Sequence, residues 1–260
     1  FPLAISVVGT DTMSALAVGC PVIVKAHPGH PGTCEKLGQI VKEAAMKTDM
    51  PSGTFTLLQG KDHRVSRALV GHPLTRAVAF TGSLQGGLAL ATIAAQRNEP
   101  IPFYAEMGSL NPVFILSGAL RERSEEIARG YVEAANLFAG QMCTKPGALV
   151  LIDGPGVDTF LSTIAEATRV QPPIAMLNKG IRENYETSTK ALAEKAELFA
   201  ESETPPEISR NEAASRLFAT EARSFLAEPK LRDEAFGPAS LIIKAKDKEE
   251  FLELARQLEG

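Results

Sequence analysis

The sequence lacks any long hydrophobic run. No stretch of about 18 consecutive apolar residues occurs in its 260 residues, so we expect no transmembrane helix. The opening FPLAISVVGT is apolar, but it has neither a basic segment before it nor a small-residue cleavage motif, so it does not resemble a signal peptide. We interpret it as a strand that begins abruptly, which suggests a chain cut from a longer one.

Cysteine and histidine are also scarce. The three cysteines, Cys20, Cys34 and Cys143, are far apart and form no Cys-x-x-Cys motif, which argues against a disulfide framework and against a zinc site. Of the four histidines, His27 and His30 are the closest pair, but prolines and a glycine surround them, so they do not form a metal-binding helix face. We therefore expect no metal and a reducing, cytoplasmic compartment.

The charge balance shows no excess of basic residues. The net charge is −4 and the isoelectric point is about 5.7, so nothing indicates nucleic acid as a partner. Hydrophobic residues make up 44% and charged residues 22% of the chain, as is ordinary for a globular protein. The length is sufficient for one large domain or two modest ones.

Short apolar segments alternate with segments of helical periodicity. This alternation predicts βαβ units, and hence an α/β fold with mostly parallel sheets and helices on both faces. The predicted strands are 21–27, 54–58, 76–80, 102–107, 148–153 and 240–246. The predicted helices include one that begins after Thr33, 83–96, 124–138 with Ser124 as its N-cap, and 179–199, with an exposed loop at 201–212.

Cys143 lies in NLFAGQMCTKPG, between a helix-like stretch and a Pro-Gly turn. A lone cysteine is most often a small buried residue, and a metal-binding role lacks partner ligands. The irregular junction favours a third reading, because scaffolds display reactive side chains at such places and Lys145 supplies a nearby cation for a thiolate. From the residues alone, the buried and nucleophilic readings both stay open.

Other polar residues follow predicted strands. Glu106, before Gly108, suits a general base but also a solvated strand end. Lys25 could meet a phosphate or ribose, or extend to solvent. AFTGSLQGG resembles a phosphate-binding turn only weakly, and a plain strand-to-helix turn is the alternative. In RDEAFGPAS, Glu234 and Phe236 share one face if that segment is extended.

Taken in order, five motifs resemble the aldehyde dehydrogenase superfamily over essentially the whole chain. They are VIVKAHP, FTGS, EMGSLNP, GQMCTKPG and EAFGP, and they agree in both sequence and spacing. The resemblance implies a three-layer α/β/α fold, with a Rossmann-like cofactor-binding domain over residues 1–102 and a catalytic domain over residues 103–260. It implies that parts of both domains lie outside this chain.

The resemblance also implies roles for individual residues. Cys143 matches the family's catalytic nucleophile, and Glu106 matches the glutamate that activates water. The residues that match its cofactor-binding positions are Lys25, His27, Gly82, Ser83, Met107, Glu234 and Phe236. An oxyanion-stabilising asparagine normally stands just before the opening Phe-Pro, so we expect this chain alone to be inactive or nearly so.

The cofactor and the substrate are expectations of the same kind. Many NAD-preferring members carry a glutamate where this chain has Pro28, so NADP is favoured, with NAD possible. DTMSALAVGCPVIVKAHPGHPGT and PIPFYAEMGSLNPV look most like bacterial 2,5-dioxovalerate (2-oxoglutarate semialdehyde) dehydrogenases. A fatty or general aldehyde dehydrogenase, a CoA-acylating relative and a non-catalytic relative are the alternatives. We expect the parent protein to be a homodimer or homotetramer.

Overall fold

The computed structural model describes residues 5–258, and for residues 5 and 6 it describes the backbone alone. The chain divides into two compact units, residues 1–108 and 109–260. The division falls six residues after the boundary expected from the sequence, because the strand Phe103–Met107 pairs with Val78–Gly82 and belongs to the first unit. No helix among the described residues is long and apolar enough to cross a membrane.

The first unit alternates helices with short parallel strands. Its helices are α1 (Ile5–Val8), α2 (Thr10–Ala17), α3 (Pro31–Lys47), α4 (Arg64–Gly71) and α5 (Leu84–Ala95). Its strands are β1 (Val22–Lys25), β2 (Phe55–Leu58), β3 (Val78–Gly82) and β4 (Phe103–Met107). Within residues 5–108, β1 pairs with β2 and β3 pairs with β4, both in parallel, as two separate pairs.

Two expectations for this unit are wrong. The opening segment is helical over Ile5–Val8, and Val7 is fully buried in a small core with Val24 and Phe55. The rest of the expected strand, residues 1–4, lies outside the described residues. Helix α3 begins at Pro31, two residues before Thr33, because a proline at the first helical position has its φ already set for the helix.

The second unit contains a five-stranded sheet of order β5-β6-β11-β10-β8. Its strands are β5 (Pro112–Ile115), β6 (Ala148–Ile152), β7 (Ile174–Ala175), β8 (Glu197–Glu201), β9 (Glu212–Ala213), β10 (Arg216–Glu221) and β11 (Ala239–Ala245). The first four strands of the sheet are parallel, and β8 pairs with β10 as an antiparallel edge. Strands β7 and β9 form a small antiparallel pair.

Helices cover both faces of this sheet, so the unit has three layers. They are α6 (Ser117–Asn136), α7 (Val157–Arg169), α8 (Lys179–Ala193), α9 (Ala222–Ala227) and α10 (Lys248–Gln257). The central strand β6 shows why both faces of the sheet have to be covered. Leu149 and Leu151 belong to the core cluster on one face, and Val150 belongs to the cluster on the other. A strand buried on both sides reads as a continuous apolar run, and ALVLI is one.

The predicted helices 124–138 and 179–199 are corrected in extent. Helix α6 comprises two helical segments that meet at Arg123, whose φ of −140° is non-helical; the second segment follows this kink, where Ser124 is predicted to start a helix, and it ends at Asn136. Helix α8 ends at Ala193, and residues 197–201 form the edge strand β8. The helix-forming residues of ELFAE adopt a strand because β10 offers them a hydrogen-bonding partner.

Candidate active site

Cys143 lies in a turn that connects α6 to β6 in the second unit. It is half-buried, and its thiol is not in a disulfide. The turn is closed by the backbone N–H of Lys145, which donates to the carbonyl oxygen of Met142 at 3.1 Å. The turn places Cys143 in an irregular segment between a helix and a sheet strand, where scaffolds often display reactive side chains.

The chain enters this turn through three consecutive residues in the left-handed region. Phe138, Ala139 and Gly140 have φ values of 52°, 57° and 63°. Gly140 has no alternative at its position, because a Cβ there would collide with the backbone of Gly237 and Pro238. Backbone strain costs about 1–3 kcal/mol per residue and persists where surrounding structure enforces it. The approach to Cys143 is therefore set by backbone packing.

Asn111 fastens the turn from the side of β5. Its side-chain amide donates to the carbonyl oxygen of Cys143 at 2.6 Å and to that of Lys145 at 3.0 Å. Ser109 in turn donates to the Asn111 side-chain oxygen at 3.0 Å. Asn111 has a φ of 43°, a conformation that asparagine tolerates better than most residues. One side chain thus binds the carbonyl oxygens of the residues on either side of Thr144.

Lys145 is fully buried, and its ammonium group is bound to carbonyl oxygens. Nζ donates to Ala235 at 3.0 Å and to Ala239 at 2.7 Å. Burial lowers the pKa of Lys145 to about 8, and the carboxylate of Glu234 opposes that shift. The sequence suggested Lys145 as a cation for the thiolate, but the structure commits its amine to the turn that carries Glu234.

Glu234 and Phe236 lie in that turn, before β11, and both are half-buried. Burial raises the pKa of Glu234, while the Lys145 charge and the Ser109 backbone N–H favour the carboxylate. Gly237 follows, and a Cβ there would collide with the ring of Tyr185. The Tyr185 hydroxyl donates to the carbonyl oxygen of Ala214 at 2.7 Å. The second unit therefore packs the turn that carries Cys143 against the turn that carries Glu234 and Phe236.

In the first unit, Gly82, Ser83 and Met107 lie at the carboxyl ends of neighbouring strands. Gly82 and Met107 are paired in register on β3 and β4. Ser83 is the N-cap of α5, and its hydroxyl accepts from the backbone N–H of Gly86 at 3.2 Å. Met107 packs so closely on Gly87 that no Cβ fits there. The turn is thus a glycine-lined helix start next to a strand end, a suitable place for a phosphate group.

Glu106 is exposed, next to Met107 on β4, and its register partner on β3 is Thr81. The strand end presents this carboxylate to solvent, where a water molecule can reach it. Glu106 belongs to the first unit and Cys143 to the second. A general base needs a water within hydrogen-bond reach, and the exposed position of Glu106 satisfies that requirement.

Lys25 is the last residue of β1 and His27 follows two residues later, where the carboxyl ends of β1 and β2 adjoin. Lys25 is half-buried; desolvation lowers its pKa and the Asp62 carboxylate raises it. Burial lowers the pKa of His27 to about 4, with further contributions from the positive charges of His30 and Lys25. Nδ1 of His27 accepts from the backbone N–H of Gly29 at 3.0 Å. His27 is therefore neutral near pH 7 and offers its other ring nitrogen as a donor.

The described residues contain no group of three or more His, Cys, Asp or Glu side chains that could hold a metal ion. His27 and His30 stack with ring centroids 4.9 Å apart, and Nδ1 of His30 lies 3.2 Å from Sγ of Cys34. These rings occupy a loop and the start of a helix. Their arrangement resembles a packed pair rather than a ligand set.

Sequence reasoning missed Asn111, Gly140 and Gly237, and it misjudged Lys145. The signal for the glycines was present, since GQMC and FGP each place a glycine beside a residue singled out. The signal for Asn111 was weaker, since an asparagine before a proline is common in turns. A contact between residues about ninety positions apart, such as Lys145 with Ala235, has no local sequence signature.

Comparison with known proteins shows which family the chain resembles. The sequence profile of the aldehyde dehydrogenase family matches residues 1–259. The chain is 46% identical over its whole length to alpha-ketoglutaric semialdehyde dehydrogenase 2 of Azospirillum brasilense, covering 50% of that protein. It is 41% identical to alpha-ketoglutaric semialdehyde dehydrogenase of Acinetobacter baylyi, covering 49% of that protein. The chain therefore spans about half the length of the curated relatives it matches.

A solved structure supports the fold. The NAD-dependent benzaldehyde dehydrogenase of Corynebacterium glutamicum superposes with a TM-score of 0.76 over 95% of this chain and 53% of that one, at 22% identity. The predicted α/β class with mostly parallel sheets is confirmed by this likeness and by the strand pairing. The family profile reaches almost from end to end, and the chain belongs to the aldehyde dehydrogenase family.

Proposed function

We propose that the whole protein oxidises an aldehyde to a carboxylic acid with NAD(P) as the hydride acceptor. The observation that carries this proposal is the position of Cys143, in a turn fastened by Asn111 and Lys145, in a chain 46% identical to a semialdehyde dehydrogenase. The family supplies the reaction class, and the turn supplies a thiol held in a defined place.

In this proposal, Cys143 forms the covalent intermediate. Its thiolate adds to the aldehyde carbon and gives a thiohemiacetal, and loss of a hydride from that carbon leaves a thioester. When bound, NAD(P) accepts that hydride. Glu106 takes a proton from a water molecule, which adds to the thioester carbonyl. The carbon–sulfur bond then breaks, the acid leaves, Cys143 is again a thiolate, and Glu106 releases its proton to solvent.

The residues present fit a dinucleotide. The β3–α5 turn, with Gly82 and Ser83, offers backbone N–H groups to a phosphate, and Met107 closes its other side. Lys25 provides a cation at the end of β1, which suits a ribose hydroxyl or a phosphate. In the second unit, the carboxylate of Glu234 suits the hydroxyl groups of a ribose, and Phe236 follows two residues later in the same turn.

The finer proposal is that the protein uses NADP, with NAD also accepted. Pro28 places no carboxylate three residues after Lys25, so a 2′-phosphate meets no repulsion at that position. Lys25 supplies positive charge in this region, whereas the neutral His27 contributes a hydrogen-bond donor only. A lower KM for NAD than for NADP would contradict this preference.

For the substrate, we propose 2,5-dioxovalerate, which is oxidised to 2-oxoglutarate. Two relatives that match the chain over its whole length, at 46% and 41% identity, are named for this semialdehyde. A fatty or general aldehyde is the second candidate, since no cationic group for the substrate carboxylate is identified among residues 5–258. Comparing kcat/KM for 2,5-dioxovalerate and a long-chain aldehyde separates the two.

Two alternative reactions make different predictions. A CoA-acylating enzyme would pass the acyl group to CoA, whereas Glu106 supports transfer to water, so release of free acid without CoA favours the proposal. A non-catalytic relative is expected to have lost Cys143 or Glu106, whereas this chain has both residues. A homodimer or homotetramer and a cytoplasmic location remain predictions for the whole protein.

The deciding experiment compares two cysteine variants of the whole protein. Cys143→Ala is expected to abolish NADP reduction by 2,5-dioxovalerate, because no thioester can form without the thiol. Cys20→Ala removes an exposed thiol outside the proposed site and is expected to leave the rate unchanged. Glu106→Gln is expected to keep a first-turnover burst of NADPH and to slow the steady state. Full activity of Cys143→Ala would refute the proposal.

A further inference from the structure

Lys145 is a fully buried charged group to which the proposed chemistry gives no part. It is 3% exposed, and its Nζ makes hydrogen bonds to Ala235 and Ala239 on a distant stretch of the chain. The cavity beside it has a volume of about 10 Å³ and is lined in part by Ser109, Leu231 and Glu234. That space holds one water molecule at most, so no substrate or cofactor can reach the amine. Lys145 is therefore not a nucleophile or a general base.

The two ends of this lysine belong to two different functional turns. Its backbone lies two residues after Cys143, and its carbonyl oxygen accepts from the same Asn111 amide that binds the carbonyl oxygen of Cys143. Its ammonium group binds the carbonyl oxygen of Ala235, the residue between Glu234 and Phe236. One side chain thus joins the turn of the thiol to the turn that carries the two proposed cofactor contacts, Glu234 and Phe236.

A buried ammonium group is costly unless it is compensated. Here two carbonyl oxygens and the charge of Glu234 compensate it, and the resulting hydrogen bonds to a charged donor are stronger than neutral ones. A methionine of similar length would fill the space without this cost, so burial of apolar volume does not explain a lysine. The charge is explained if the two turns have to be held at a fixed spacing.

We propose that Lys145 is a positioning residue that holds the Cys143 turn against the Glu234–Phe236 turn. The inference rests on the proposed function, because it treats Cys143 as the nucleophile. Because Lys145 sets the geometry of both turns, its loss is expected to change both the reactivity of the Cys143 thiol and the affinity for the cofactor. A displacement of about 1 Å in such a site can lower a catalytic rate by about 100-fold.

The test uses the whole protein with Lys145→Met and a matched control, Lys244→Met. Lys244 is a half-exposed lysine on β11 of the same unit, paired with Glu221 at 2.7 Å. Two readouts are taken without substrate: the rate at which iodoacetamide alkylates Cys143, followed by peptide mass spectrometry, and the Kd for NADPH by fluorescence. We expect Lys145→Met to change the alkylation rate and to raise the Kd, each by about tenfold, and Lys244→Met to change neither.

The outcomes separate this inference from the proposed function. A folded Lys145→Met protein with wild-type alkylation rate and Kd overturns the positioning role, whatever the reaction is. Full activity of Cys143→Ala overturns the proposed function. The alkylation rate of Cys143 in Lys145→Met still tests whether Lys145 holds the turn, because it is measured without substrate. If Lys145→Met does not fold, Lys145→Gln keeps one donor for a carbonyl oxygen and is expected to show the same two effects at smaller size, and their absence overturns the proposal.

Discussion

Raising the pH from 8 to 9.5 is expected to stabilise the second unit through Lys145. Burial lowers the pKa of Lys145 from 10.5 to about 8 in the folded chain. Between those two values the unfolded chain binds the lysine proton and the folded chain does not, so the free energy of unfolding rises with pH. The stabilisation is fully present above pH 10.5 and is lost as the pH falls through 8.

The size of the effect follows from the width of the pH interval. Each pH unit between the two pKa values contributes about 1.4 kcal/mol, so the interval from 8 to 9.5 contributes about 2 kcal/mol. The upper limit is chosen because burial also raises the pKa of Tyr131 and Tyr185. Those tyrosines hold their protons longer in the folded chain, so they lower the stability once the pH exceeds about 10.

The assay is urea unfolding at pH 7, 8, 9 and 9.5 for the wild type, Lys145→Met and Lys244→Met. The quantity of interest is the difference between variants at each pH, because other groups shared by all three proteins cancel in it. Lys145→Met is expected to lose the rise of about 2 kcal/mol, and Lys244→Met to keep it. If the wild type and Lys145→Met change in parallel with pH, the reasoning is refuted.

Three further predictions concern the backbone, the turn and the cofactor. Gly140→Ala is expected to lower the free energy of unfolding, measured in urea, by more than about 3 kcal/mol, because the added Cβ collides with the Gly237 backbone. The control Gly130→Ala has open space around the added Cβ and is expected to stabilise α6 by up to about 1 kcal/mol. Asn111→Ala removes both amide hydrogen bonds to the turn and is expected to lower kcat more than it changes the KM for NADP; unchanged kcat would contradict this. Pro28→Glu adds a carboxylate beside His27 and is expected to lower the ratio of kcat/KM for NADP to that for NAD by about tenfold, as measured by steady-state kinetics.

Much of the α/β alternation was predictable from the sequence, because buried parallel strands read as apolar runs. ALVLI at 148–152 and ASLIIKA at 239–245 are such runs, and both are central strands. The strand RLFATE at 216–221 was missed because its polar ends and its position after an exposed loop hide four buried residues. The predicted helix 179–199 extends into ELFAE at 197–201 because these residues favour helix, whereas pairing with β10 makes the segment a strand.

The functional residues of the candidate site could be predicted from the sequence, whereas the backbone conformations that hold them in place could not. Cys143 and Glu234 could be singled out from the residues around them, since each stands beside a glycine-containing turn. The left-handed conformations of Phe138 and Ala139 could not, because neither residue type favours a positive φ and the strain is enforced by packing.

The contact between Gly140 and Gly237 has a consequence for how this family member can vary. The two turns touch through main-chain atoms, with the ring of Tyr185 behind Gly237. Substitution of the residues in contact can only break such a contact and cannot adjust it by a fraction of an ångström. The position of the Gly237 turn relative to the Gly140 turn therefore depends on the side chain at position 185, which packs behind Gly237. A smaller side chain there, as in Tyr185→Leu, is expected to loosen the support behind Gly237 without altering the main-chain contact itself.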